Sequence, residues 1–455
     1  MKLKHITLLL LLAALLLSAC GRQTPDPTTA PVPTEPTAPP VVDIGGTELA
    51  IGTTALELEN LSWNLDALLA AAQRLEAIAR IDLGITELTA EQVTALREAF
   101  PAAEVTYRVD VLGTVCAPDT TELDLAAMDP ADTEKLVAAL PLLPNLQQIN
   151  FIDESGACVY DLTTIPLLDQ VRMAAPEAQL HVSFELFGQT VTSRDERIEY
   201  YLVPIGNEGV ETVRAVLPYL TACTYLLMDG CEVDNEVMAQ LRADFPQTKV
   251  VWRVWVTTPN YDSPKQLRWA GFLTDTHRIR TILINDQNCD VLKYCVETKY
   301  VDFGHNYEIS DFSFLAYMPK LEAAIIGLTK CNDISALANC PELEYLEVYG
   351  SDVTDLSPLA ACTKLKHLNI SRMQVDDITC LYGLELERFR AVATNVPKEQ
   401  IDEYAALHPD CQMLMDGWAP HENGWRYDNN RVMVPRYKLL REQMEYAEDR
   451  KYGIQ

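Results

Sequence analysis

Four pentapeptides, Asp311-Phe-Ser-Phe-Leu315, Asp333-Ile-Ser-Ala-Leu337, Asp355-Leu-Ser-Pro-Leu359 and Asp377-Ile-Thr-Cys-Leu381, recur at a constant spacing of 22 residues. A fixed period of that length permits few architectures, because one repeat buries its apolar side only against its neighbours. Each pentapeptide is followed by a strand-like unit: Leu321-x-x-Ala324-x-Ile326, Leu343-x-x-Leu346-x-Val348, Leu365-x-x-Leu368-x-Ile370 and Leu386-x-x-Phe389-x-Ala391. Ile279-x-x-Ile282-x-Ile284 and Thr298-x-x-Val301-x-Phe303 precede these, so six units occupy 279–392. Apolar residues two apart share one face of a strand, which predicts a short parallel strand per coil with its apolar side inward. Ser313, Ser335, Ser357 and Thr379 stand where an N-cap is needed, and Pro358 suits the first position of a short helical turn.

This pattern resembles the 22-residue leucine-rich repeat of internalin-like bacterial surface proteins. The resemblance implies an α/β leucine-rich-repeat solenoid with parallel strands on its concave face. The family's asparagine after the strand is matched approximately by Asn306 but replaced by Thr329, Ser351 and Met373, so a less regular turn is expected.

A longer repeat precedes it. Phe100-Pro-Ala-Ala-Glu-Val-Thr-Tyr-Arg-Val, Ala175-Pro-Glu-Ala-Gln-Leu-His-Val-Ser-Phe and Phe245-Pro-Gln-Thr-Lys-Val-Val-Trp-Arg-Val are copies, with prolines 75 and 70 residues apart. Gly113 and Gly188 punctuate predicted hairpins. In the first copy, strands are expected near 56–58 and 81–83 and helices near 66–75 and 89–100. This alternation resembles, more weakly, the ribonuclease-inhibitor-like type of leucine-rich repeat. A degenerate echo begins at His408-Pro409. The expected layout is long strand–helix repeats over 46–270, short repeats over 271–415, and a C-terminal cap or tail over 416–455. The two blocks form one continuous solenoid or two abutting ones. Trp418 and Trp425 are expected to close the open end, and 437–452 is an amphipathic helix candidate.

The N-terminus carries Lys2 and Lys4, an apolar run over 6–17, and Leu17-Ser-Ala-Cys20. Twelve helical residues reach about 18 Å, too short for a span of roughly 30 Å, so 1–19 reads as a signal peptide. Its last four residues resemble a bacterial lipobox, which implies cleavage before Cys20 and acylation of its thiol. Residues 20–45 then form a lipidated tether, rich in proline and threonine over 23–40 and too polar to fold. Together these features predict an exported protein, lipid-anchored to the outer face of the bacterial cell membrane.

Lys plus Arg number 36 against 66 Asp plus Glu, a net charge of −30 that argues against nucleic acid as a partner. The sequence has no metalloprotease, nucleophile-elbow, phosphate-loop or dinucleotide-binding signature, so no catalytic, cofactor-binding or metal-ligating residue is assigned and no enzyme is expected. Asp311, Asp333, Asp355 and Asp377 could stack around calcium; acceptance of turn N–H groups is the preferred role. Cys340 and Cys362 share one position in successive coils and read as buried thiols rather than a disulfide. Trp252 and Trp255, three apart on a strand, must face opposite ways.

Side chains between the apolar strand positions are expected on the concave face. Tyr300, Tyr345, His367 and Arg388 form one column, Asp302, Ile325, Glu347, Asn369 and Arg390 a second, and Tyr349 joins a third. Their Tyr and Arg content is that of a binding surface. The sequence therefore predicts a surface-exposed, membrane-anchored binding protein whose solenoid engages another protein, of host or envelope. An envelope glycan or peptidoglycan ligand is the first alternative, and a carboxylate-based hydrolase the last.

Overall fold

The computed structural model describes residues 40–259, 265–417, 424–428 and 430–446. The signal segment, Cys20, the tether up to residue 39 and Trp418 lie outside the described residues. The described residues fall into two compact units, 40–84 with 91–107, and 85–90 with those from 108 to 446.

In the first unit, Val41–Asp43 and Glu48–Ala50 pair antiparallel, with Val42 and Ile44 buried. The tether expected over 20–45 thus gives way to folded chain by residue 41, where the apolar Val41, Val42 and Ile44 end the Pro/Thr-rich run. Ala55–Glu57 runs parallel to Arg80–Ile85. The helix Leu65–Ala71 begins at Asn64, whose side-chain oxygen accepts the Ala67 amide at 2.9 Å. Such a cap satisfies one donor that the helix leaves orphaned. Leu56, Leu68, Ile81, Val93 and Leu96 are buried.

The second unit holds three successive parallel arrays. Glu122–Asp124, Gln148–Asn150 and Gln179–His181 form the first. Arg197–Tyr201, Tyr225–Asp229 and Lys249–Pro259 form the next, extended antiparallel by Leu267–Leu273. Two-residue hairpin turns occur at Leu112-Gly113 and Phe187-Gly188, where all four residues have positive φ, the geometry that glycine favours. Trp252 points inward and Trp255 outward, as their spacing requires.

The third array is a seven-stranded parallel sheet: Arg278–Arg280, Tyr300–Asp302, Ala323–Ile325, Tyr345–Glu347, His367–Asn369, Arg388–Arg390 and Gln412–Leu414. Each coil returns through a short 3-10 helix, as at Ser313–Tyr317, Ser335–Asn339 and Ser357–Ala361. Strand, turn and short helix repeat with Leu315, Leu337, Leu359 and Leu381 wholly inside. This is an α/β leucine-rich-repeat solenoid.

The capping chemistry differs in detail from the expectation. Ser313, Ser335, Ser357 and Thr379 are the first helical residues, and the cap is the aspartate two positions earlier. Asp311, Asp333, Asp355 and Asp377 each accept that residue's amide, at 2.7 to 2.8 Å. Cys340 and Cys362 are free, buried thiols that donate to Leu315 O at 3.5 Å and Leu337 O at 3.3 Å in the preceding coil. Burial pushes them up to about 12 and about 11.

The sheet's C-terminal end is formed by the Gln412–Leu414 strand and the helix Lys398–Leu407, not by Trp425. Tyr404 of that helix donates to Leu384 O at 2.8 Å and packs on Phe389. The chain then returns across the sheet; of the helix expected over 437–452 the described residues reach Tyr446, and the helix found is Pro435–Gln443.

Candidate functional site

Parallel pairing aligns the strand face as the sequence implies. Tyr300, Ala323, Tyr345, His367 and Arg388 are register partners in one row, and Asp302, Ile325, Glu347, Asn369 and Arg390 in the next. Tyr349 lies beyond its strand with its ring over Gly327, where a Cβ would come within 2.7 Å of that ring. All ten predicted residues therefore share one face.

That face is not open. Tyr300, Ile325, Tyr345, Glu347, Tyr349, His367, Asn369 and Arg390 are buried, and Asp302 and Arg388 are partly covered. This corrects the expectation of a solvent-facing surface, and the reason is the destination of the C-terminal segment, 424–428 with 430–446. It crosses the strand face as a short hairpin, bridged Tyr427 to Met433, followed by the helix Pro435–Gln443. Trp425, Val434, Tyr437, Leu440, Met444 and Tyr446 form one cluster with Tyr300, Ala323, Ile325 and Tyr345. The Trp425 ring lies 5.6 Å from that of Tyr345 and 6.5 Å from that of His367.

Polar contacts fix the register of this docking. Arg426 Nε donates to Glu347 Oε1 at 2.9 Å, and a second guanidinium nitrogen pairs with Oε2, a bidentate fork. Tyr345 also donates to Glu347, and Tyr446 to Asp302. Arg436 reaches Glu344 at 3.5 Å, while Glu445 takes Arg278 at 3.0 Å and His277 at 3.2 Å. Arg388 donates to Gly424 O, and Arg390 to Asp416 O at 3.0 Å.

Glu347 is fully buried, yet its carboxylate is matched on both oxygens. Burial pulls the Arg426 guanidinium down, but the facing Glu347 charge outweighs it and holds Arg426 well above the ordinary arginine value. Burial raises the Tyr345 hydroxyl well above its ordinary value, and the Glu347 charge adds to this. Tyr446 is raised likewise by burial and Asp302.

His367 is depressed to about 3, by burial first and then by Arg436 of the segment and Arg388 and Lys366 of the sheet. The Glu387 carboxylate, 3.7 Å away, is 64% exposed and does not reverse the effect of three cations. Since the unfolded histidine titrates near 6.5, the folded state loses stability as pH falls below that value toward 3. At pH 5 the loss is expected to be about 2 kcal/mol relative to pH 7.5, from ~1.36 kcal/mol per pH unit. Denaturant unfolding followed at the two pH values measures it. An equal acid loss in a His367→Gln variant would assign the effect to other groups.

Sequence reasoning missed Arg426, Arg436, Tyr437 and Tyr446 as partners of the strand face. A signal was present: the segment carries five cationic and three anionic side chains in a chain of net charge −30. Apart from this face, Trp255 and Trp269 meet edge to face at 5.1 Å and are 44% and 64% exposed. Beside them Arg253 pairs with Asp229 at 2.7 Å. Among the described residues, no three His, Cys, Asp or Glu side chains are grouped to hold a metal, and no helix is long and apolar enough to cross a membrane.

The register, the 22-residue coils and the stacked 3-10 turns decide the architecture. The fold is that of leucine-rich-repeat proteins. No family model matches the sequence, and no curated protein matches it. Among solved structures, the chain is similar to internalin C2 of Listeria monocytogenes, at 22% identity and TM-score 0.26, covering 30% of this chain and 62% of that one. This chain thus spans less than two thirds of that internalin. It is also similar to internalin F of the same organism, at 16% identity and TM-score 0.29, covering 78% and 89% of the two chains. A leucine-rich-repeat protein of Leptospira interrogans matches at 11% identity and TM-score 0.28, covering 80% and 96%.

Proposed function

We propose that this chain is an exported, lipid-anchored binding protein whose leucine-rich-repeat solenoid engages a protein partner at the bacterial surface. One observation carries the binding role: the strand face accommodates a polypeptide segment through a buried Arg426–Glu347 pair and aromatic contacts. A surface that holds its own segment in this way has the chemistry to hold another. The anchoring role rests on Leu17-Ser-Ala-Cys20 and the Pro/Thr-rich stretch behind it. A hydrolase reading draws no support from Glu347 and Asp302, which are engaged by Arg426 and Tyr446 rather than facing a cleft.

The exposed Trp255 and Trp269 favour a second reading, an envelope glycan as ligand, since flat aromatic surface beside an Arg–Asp pair suits a sugar face. Cross-linking on intact cells separates the two. Captured protein supports the first reading; captured glycan that is lost in a Trp255→Ala/Trp269→Ala variant supports the second. Anchoring is tested by Cys20→Ser, which is expected to abolish fatty-acid labelling and leave the chain unprocessed or in the medium. A labelled Cys20→Ser protein would remove the lipid anchor from the proposal.

A further inference from the structure

We infer that 424–446 is a displaceable resident of the strand face, and that the face accepts in its place a segment of the same chemistry: an arginine flanked by aromatic residues and followed by a short amphipathic helix. This inference deepens the protein-binding reading and rests on it.

The mode of attachment is the first argument. Coils of the sheet are joined by backbone ladders, as in Tyr345 N to Glu322 O and His367 N to Glu344 O. The backbone of the segment pairs with itself, Gly424 to Tyr427, Asp428 to Val432 and Val434 to Arg426, with the helical turns after them. The segment is a self-contained hairpin and helix, held to the sheet by side chains. Such a unit can leave without breaking any coil, because the strand ladders beneath it do not depend on it.

Charge placement is the second argument. Acids on and beside the strands, Glu347, Glu344 and Asp302, receive Arg426, Arg436 and the Tyr446 hydroxyl. Arginine and tyrosine are the residue types that dominate recognition, and here both dock on acids in a chain that is otherwise strongly acidic. A groove that buries a carboxylate completely must supply it with a cation whenever it is covered, so an occupant without an arginine at this place is disfavoured.

The third argument is that the seal is imperfect. Trp425 Nε1 and His367 Nδ1 are buried without a hydrogen-bond partner among the described residues. Each such group weakens the docked state relative to one in which it meets water or a better partner. The resident competes by proximity: tethering gives it an effective concentration in the millimolar range, which a free partner must exceed or evade.

The test uses the full chain and a fluorescent synthetic peptide with the 424–446 sequence. In the wild-type protein the peptide is expected to bind weakly, because the resident occupies the face. Leu440→Asp, which places a charge in the buried cluster on the segment side, is expected to tighten peptide binding at least tenfold. Adding Glu347→Gln to that variant, or replacing the arginine of the peptide by alanine, is expected to reverse the gain. No peptide binding by a Leu440→Asp chain whose strand amides at 323–325 and 367–369 remain protected would overturn the inference. So would hydrogen exchange in the wild-type protein in which 424–446 opens only together with the whole 278–414 sheet. Cell-surface capture separates this from failure of the protein-binding reading. Equal capture by wild type and Leu440→Asp removes the competition while leaving that reading intact. Absence of capture by both, with peptide binding retained, removes the cellular reading alone.

Discussion

Leu346→Asp is expected to lower the stability of the seven-stranded array by several kcal/mol, enough to open its central coils at ambient temperature. Leu346 is completely buried and sits mid-strand, paired with Ala324 on one side and Leu368 on the other. Burying a carboxylate among apolar side chains is among the costliest single changes available. Repeat arrays are held by nearest-neighbour interfaces, so failure spreads first to the adjacent coils. The array meets the preceding helix, Asn235–Asp244, through Tyr294 OH to Glu236 at 2.8 Å and Arg242 to Tyr294 O at 3.0 Å. Limited proteolysis of the variant is expected to cut within 320–390 while a fragment covering 46–260 persists. Uniform loss of the whole chain would mean that the two blocks melt as one.

Most elements whose letters repeat were legible in advance. The exception is the first short unit, where Ile279 and not Ile282 pairs with Val301, and Ile282 is 50% exposed, because apolar letters three apart offered two registers. Strands expected near 56–58 and 81–83 occur at Ala55–Glu57 and Arg80–Ile85, and helices expected near 66–75 and 89–100 occur at Leu65–Ala71, with a 3-10 turn to Arg74, and at Ala90–Ala99. The degenerate echo after His408 is a true strand, Gln412–Leu414, in register with Arg388–Arg390. Period-2 apolar letters fix which side of a strand meets the core, and this placed the rows of the strand face correctly. The capping residue was misplaced by two positions because serine and aspartate both accept turn amides, and composition does not say which one does.

What covers the strand face was not legible, for a physical reason. Glu347, Asn369 and Arg390 alternate with apolar residues, and polar letters in that position ordinarily face water. The partners come from far along the chain: Asp416, whose carbonyl takes Arg390, is 26 residues away, and the segment carrying Arg426 lies about 80 residues from Glu347. That segment has no repeat of its own to announce a register. Its excess of cations marked it as a partner for acids without saying which acids.

Removing the Glu347 carboxylate supplies the sharpest test of that docking. Glu347→Ala leaves the Arg426 guanidinium under Tyr349 and Tyr437, 6.0 Å and 5.1 Å from their ring centres, with its charge unmatched. Exposed ion pairs contribute about 0–1 kcal/mol, whereas breaking a buried pair typically costs about 3–5 kcal/mol, because the surviving charge stays desolvated. Glu347 is wholly buried and the Arg426 side chain is 16% exposed, so the larger figure applies. The segment has an escape that a core residue lacks: it can undock and return Arg426 to water. The cost therefore appears as undocking, not as unfolding of the coils. Trypsin is expected to cleave Glu347→Ala rapidly after Arg426, Arg436 and Arg441, with the Ala323–Ile325 and His367–Asn369 strands still protected from exchange. Arg426→Ala alone is expected to do the same from the opposite side, since it strands the carboxylate. The double variant Glu347→Leu/Arg426→Met is expected to recover most of the loss, because neither charge is then buried unpaired. Two single variants that leave tryptic cleavage at the wild-type rate would mean that the aromatic cluster alone holds the segment and that the ion pair is incidental to its docking.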